Sequence, residues 1–313
     1  MLSRTADSLY WTGRLMERAD FMARVLDATA RLSSLPASYG SAGDPWASAV
    51  DSSGGGPAFY AKHTLASERS VREFLAFDPD NPSSIHSCLE SARMNARSIR
   101  TALTGELWET INDAYNQLRL AETSPDDREA FGRFLDWMKS VSLVFDGAIQ
   151  RTMLRNDGFG FLRLGGEIER ADNTGRLLDV KYHLLLPPGE KVGGGLDYFQ
   201  WTTLLREVSA LTAFRWVYRD SVKPWLVADL LILNKQMPRS IASCQQAIVA
   251  HLDRMAESYG RRGASQRLAT GWLNRLNGLS IEQIFQSGLH EFITEFLAAN
   301  DRLGTAITEQ YLV

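Results

Sequence analysis

The sequence has little of what most chemical sites are built from. Its 313 residues hold two cysteines, Cys88 and Cys244, too few for the framework of a disulfide-stabilised domain. The five histidines are His63, His86, His183, His251 and His290, and no two of them lie four residues apart. Neither Cys-x-x-Cys nor His-Glu-x-x-His occurs, so the usual zinc spacings are missing. A di-iron bundle needs Glu-x-x-His on two helices, and none is found. The Gly-rich runs at 54–56 and 193–195 lack the Lys-Ser/Thr that completes a phosphate-binding loop. The expectation is no metal and no cofactor.

Charge of one sign is also missing. The 34 basic residues face 37 acidic ones, giving a net charge of −3. This supplies neither a basic footprint for nucleic acid nor a polybasic patch for a membrane surface. No apolar run approaches the ~20 residues needed to cross a bilayer. Near the N-terminus, Asp7, Glu17, Asp20 and Asp27 are out of character for a transit peptide. Arg14, Glu17 and Arg18 interrupt the apolar stretch that a signal peptide requires. A cytoplasmic protein, binding neither nucleic acid nor membrane, is expected. Lysine occurs only at Lys62, Lys139, Lys181, Lys191, Lys223 and Lys235, so arginine carries nearly all the positive charge. Its rigid fork suits bidentate pairing with carboxylates inside a structure.

What the chain does have is an internal match. Residues 11–27, WTGRLMERADFMARVLD, align with 163–179, RLGGEIERADNTGRLLD, with eight of seventeen positions identical. The offset is 152 here. It grows to 155 at Trp46/Trp201, to 156 at PSSIHSC (82–88) and PRSIASC (238–244), and to 158 at Phe134/Phe292 and Ile149/Ile307. A drift in one direction is what small loop insertions produce, and fixed-period similarity is the mark of a repeat. The expected fold is all-α, a tandem duplication of a roughly five-helix unit. Residues 1–157 form the first repeat and 158–313 the second, with the two bundles packed in pseudo-twofold symmetry.

Within the first unit, helices are expected at 3–32, 58–77, 83–103, 106–121 and 126–155, with the short Trp46 segment a candidate for another. Nothing alternates with period two for long enough to argue a strand. Pro82-Ser83-Ser84, Pro238-Arg239-Ser240 and Ser124-Pro125-Asp126-Asp127 read as helix starts, and the stretch 184–189 as a stop. The segment 40–57, with Gly54-Gly55-Gly56, reads as a mobile loop. The aromatics Trp201, Phe214, Trp216, Tyr218 and Trp225 read mainly as core, with Arg215, Trp216 and Arg219 as a candidate peptide groove. Cys88 and Cys244, at matched positions, read as buried packing residues.

At ~100° per residue, Glu17, Gly13, Asp20, Arg24, Asp27 and Arg31 fall within an arc of roughly 80° on the first helix. The neighbouring arc is apolar, so this charged stripe borders buried surface. The second copy repeats Gly165, Glu169, Asp172, Arg176 and Asp179, with His183 in place of Arg31. Mid-helix glycine costs ~1 kcal/mol relative to alanine, so Gly13 and Gly165 signal close approach of another backbone or a ligand. Two readings of the stripe stand open. It is a buried ion network that fixes how the helix docks, or it lines a cleft. The candidate cleft residues are Glu17, Arg18, Asp20, Arg24, Glu169, Arg170, Asp172 and Arg176. In that second reading, arginines hold an anionic group and Glu17 or Glu169 serves as acid or base.

The duplicated Glu-Arg-Ala-Asp motif, with Arg and Asp following at helical spacing, resembles the bacterial alpha-E domain family. Flanking segments Glu106-Leu107-Trp108 and Tyr198-Phe199-Gln200-Trp201 extend the likeness over essentially the whole chain. The resemblance implies an all-helical, usually duplicated protein marked by a Glu-Arg motif, here Glu17-Arg18 and Glu169-Arg170. It also implies company with circularly permuted ATP-grasp and transglutaminase-like proteins. The function expected from it is an accessory or binding module in a peptide synthesis or modification system, taking a peptide or amino-acid-like ligand. The alternatives are an enzyme on such a substrate or a purely structural scaffold.

Overall fold

The computed structural model describes residues 1–34, 44–120, 127–183 and 194–312, and among them every regular element is helical. Fifteen α-helices are ordered α1 (Ser3–Ser33), α2 (Pro45–Ser53), α3 (Gly56–Lys62), α4 (Glu68–Arg72), α5 (Ile85–Ser98), α6 (Gly105–Leu120), α7 (Arg128–Thr152), α8 (Asp157–His183), α9 (Gly195–Glu207), α10 (Leu211–Tyr218), α11 (Pro224–Ile232), α12 (Ile241–Tyr259), α13 (Ala264–Asn277), α14 (Ile281–Ser287) and α15 (Leu289–Ile307). The two longest, α1 and α8, pack against each other at the centre. Helices α5, α7 and α2 pack on α1, and α6 bridges α5 and α7. On the other side α12 and α15 pack on α8, and α13 bridges them. One continuous apolar core runs through both groups.

Capping explains several boundaries. Ser84 and Ser240, the two serines that read as helix starts, accept the backbone N–H of Ser87 and Ser243 at 3.1 and 3.0 Å. Asp127 caps α7 by accepting from Ala130 N–H at 2.9 Å. Each such cap is worth roughly 1 kcal/mol. The rest of that start signal (124–126), the stop at 184–189, Gly193 and residues 40–43 of the segment read as a loop lie outside the described residues, as does the His183 side chain.

Between α1 and α5 the structure departs in part from expectation. Of the two readings of the Trp46 segment, loop and short helix, the helix holds from Pro45, because Asp44 accepts the Trp46 N–H and Trp46, Ala49 and Val50 bury a face. Gly54 ends that helix with φ 72, a left-handed conformation that glycine adopts without a Cβ clash. The helix expected over 58–77 is broken at His63, then resumes as α4 and a π-helical turn at Glu73–Phe77. The expected aromatic core also splits. Trp201 and Phe214 are buried, but Trp216 is 77% exposed and Trp225 46%.

The α1–α8 crossing is set by two glycines. A Cβ on Gly13 would lie 2.1 Å from the carbonyl oxygen of Leu162, and one on Gly165 would lie 2.0 Å from that of Tyr10. Both obstacles are backbone, so a side chain there has to push the helices apart. Gly13→Ala and Gly165→Ala should therefore destabilise by about 1–3 kcal/mol through overpacking, despite alanine's better helix propensity. Gly147→Ala in α7, where nothing lies within 4 Å, should stabilise by ~0.5–1 kcal/mol. Thermal melts of the three variants check the contrast. Equal effects at Gly13 and Gly147 would contradict the close-approach account.

Candidate functional site

Close helix approach brings the two Glu-Arg pairs within reach of one another, and they exchange partners. Glu17 of α1 accepts from Arg170 of α8 at 2.7 Å. Glu169 of α8 accepts from Arg18 of α1 through two nitrogens, at 2.6 and 3.1 Å. Each glutamate then gains a second guanidinium. Arg14 Nε donates to Glu169 at 2.8 Å, and Arg239 Nη1 donates to Glu17 at 2.6 Å. Both carboxylates are buried, with 5% and 3% of their side-chain surface exposed.

The aspartates extend the network. Asp20, fully buried, accepts from Arg24 at 2.7 Å and from Arg239 at 2.6 Å. Arg239 therefore ties two acids of α1 to the segment that leads into α12. Asp172 pairs with Arg176 at 2.6 Å on a more open part of α8. Arg170 also lies 3.4 Å from Glu167, which accepts from Arg163 at 2.6 Å, and Arg163 reaches Asp146 of α7. Of the eight sequence candidates, Glu17, Arg18, Asp20, Arg24, Glu169 and Arg170 share this buried assembly. The pair Asp172–Arg176 flanks it.

Burial would push the Glu17 carboxyl up, but Arg170 and Arg239 outweigh it and hold the group at about 2. Burial likewise opposes Glu169, and Arg18 and Arg14 overcome it, so this carboxyl is also lowered. Asp172 goes the other way. Burial dominates there, Arg176 only partly offsets it, and the Glu169 charge adds to the rise. The cavity lined by Glu17, Arg163, Glu167 and Arg170 measures about 30 Å3. That is room for about one water, far below the few hundred Å3 of a typical ligand pocket.

The matched cysteines are both fully buried. Burial drives Cys88 up to about 12, against the pull of Arg18, and Cys244 well above its ordinary value. Neither is a ready nucleophile. Among the described residues, no cluster of His, Cys, Asp or Glu has metal-binding geometry, and no helix is long and apolar enough to cross a membrane.

Sequence reasoning missed Arg14, Arg239, Arg163 and Glu167. Arg14 stands one turn before Arg18, a spacing that puts both on one face. Arg239 sat inside the matched Pro238-Arg239-Ser240 start signal, where the first unit has Ser83. Ser83 occupies the corresponding place beside Arg18, at 3.5 Å from its Nη1.

The fold and this site define an all-helical protein held together by a two-way Glu-Arg exchange between its longest helices. The sequence profile of Alpha-E, described as a predicted alpha-helical domain with a conserved ER motif, matches residues 1–312, and the chain belongs to that family. Similar curated proteins are uncharacterised ones from Mycobacterium bovis and Mycobacterium tuberculosis, each 23% identical over 94% of this chain. The chain spans about a third of their length, 35%. No solved structure matches significantly.

Removing one member of a buried ion pair strands its partner's charge, at a cost of roughly 3–5 kcal/mol. Glu17→Gln should therefore lower the melting temperature by several degrees at neutral pH. The pH dependence follows from the lowered carboxyl. Its stabilisation is complete above the unfolded value of 4.5 and is lost as the pH falls through about 2. Acid titration followed by circular dichroism should show wild type losing stability between those values more steeply than Glu17→Gln. Parallel curves would contradict the assignment.

Proposed function

We propose that this chain is a non-catalytic accessory module, whose Glu-Arg motif latches α1 to α8 and so presents the packed helices as one surface to a partner. The observation that carries this reading is that Glu17 and Glu169 are each buried and neutralised by two guanidiniums. A carboxylate held at about 2 is a weak proton acceptor at neutral pH, which speaks against the enzyme alternative with Glu17 as base. In this reading Glu17, Arg18, Asp20, Arg24, Glu169, Arg170, Asp172 and Arg176 organise the binding surface rather than line it. About two thirds of each curated relative lies outside the matched region, which favours a module that works beside other domains.

The system served is a cytoplasmic one that makes or modifies peptides, with circularly permuted ATP-grasp and transglutaminase-like proteins as partners. Support for those partners is the company that the family resemblance implies. We also infer a tandem duplication, with repeats at 1–157 and 158–313 in pseudo-twofold relation. The aligned sequence matches favour it, as does the reciprocal pairing of Glu17–Arg170 and Glu169–Arg18.

The test is thermal melting of wild type, Glu17→Gln and Glu169→Gln, each alone and with an ATP-grasp protein from the same organism and a panel of peptides. Both variants should melt lower alone, and the partner should raise the wild-type melting temperature. Turnover of peptide by wild type alone, abolished in a Glu17→Gln protein that melts normally, would overturn the reading in favour of an enzyme.

A further inference from the structure

A larger cleft lies beyond the latch, toward the C-terminal end of α1. It measures about 290 Å3 and is lined by residues of α1, α7 and α9 together with Ser209. Three of its cations have partners. Arg24 bonds Asp20, the Glu207 carbonyl and the Ser209 hydroxyl, at 2.7, 3.1 and 2.9 Å. Arg31 and Lys139 share the single carboxylate of Asp27, at 3.2 and 3.0 Å. Lys139 also reaches Asp136, which is 74% exposed. The fourth cation, Arg206, is exposed, and its guanidinium makes no hydrogen bond or ion pair among the described residues. Asp27 thus stands against Arg31, Lys139 and Arg206, one of two acids in the lining.

The remaining acid is Glu207, whose backbone oxygen is taken by Arg24 and whose carboxyl has no pairing cation within salt-bridge distance among the described residues. Burial and the neighbouring Asp27 charge raise this carboxyl well above its ordinary value, against the pull of Arg24. Beside it, Ser209 holds φ 56, a left-handed conformation that a non-glycine residue rarely adopts. In that conformation its hydroxyl meets Arg24.

We propose that this cleft is a binding site for a small oxyanion, a carboxylate or phosphate group. Arg206, Arg31 and Lys139 supply the charge, and Thr203 lines the same wall. Its volume suits one small acid or the charged end of a longer ligand. Oxyanions are the chemistry that guanidinium forks bind most strongly. The site shares only Arg24 with the latch, so it does not depend on the role proposed for the Glu-Arg motif.

The experiment is isothermal titration of the full chain at low ionic strength with inorganic phosphate and with glutarate, and with sodium chloride at matched ionic strength as the reference. Phosphate, glutarate or both should bind above the chloride reference, and the two arms separate the sources of the oxyanion. Arg206→Ala and Arg31→Ala should each weaken that binding roughly tenfold, since each removes one charge-assisted contact. Arg206 and Arg31 are exposed, so both variants should fold; circular dichroism establishes this, and either one alone suffices for the test. Arg262→Ala, in a separate basic cleft after α12, should bind as wild type does. The proposal falls if neither probe exceeds chloride. It also falls if the Arg206 and Arg31 variants bind unchanged, or if Arg262→Ala is the one that loses binding.

Discussion

The α1–α8 crossing depends on a distance that only glycine permits. With Gly13 and Gly165 at the point of contact, two helix backbones come close enough for carboxylates on one to meet guanidiniums on the other. Every other feature of the centre follows from that approach. Four arginines, Arg14, Arg18, Arg170 and Arg239, crowd around two glutamates in the protein interior. Such crowding is tolerable only because each charge has a partner, and a bidentate guanidinium meets a carboxylate with little wasted geometry. The apolar core then closes around the assembly as one body rather than two.

The scarcity of lysine has its physical counterpart here. A point charge on a flexible stem could not serve two carboxylates in fixed directions, as Arg239 does for Glu17 and Asp20. The network is also graded. At its centre carboxyl groups are driven toward ionisation, whereas at the margin Asp172 and Glu207 are driven away from it. The balance between burial and nearby guanidinium changes sign between the α1–α8 crossing and its flanks.

Much of the fold was legible because it rests on local rules. The helix starts at Ser84, Ser240 and Asp127 follow from capping chemistry, and the central helices follow from apolar spacing beside a charged stripe. Glycine and proline punctuate short helices as readily as loops, so the sequence leaves the Trp46 segment open between the two, and burial of Trp46 and Val50 decides for helix, while the break at His63 carries no local signal. At the site, the stripe on α1 announced Glu17, Asp20 and Arg24 but not where they point. Arg239 could not be found by periodicity, since it lies on no helix and replaces a serine at the matched position. Its role arises from tertiary placement of a turn against α1, and no local pattern encodes that.

When a group on one surface pairs with its counterpart on another, and the reverse pair forms too, the bond pattern is that of an isologous dimer. In this protein one polypeptide carries both faces. Association is then independent of concentration, and the faces need no longer be identical. The two sides already differ, with Arg14 supplied from within the helix on one and Arg239 from a distant turn on the other.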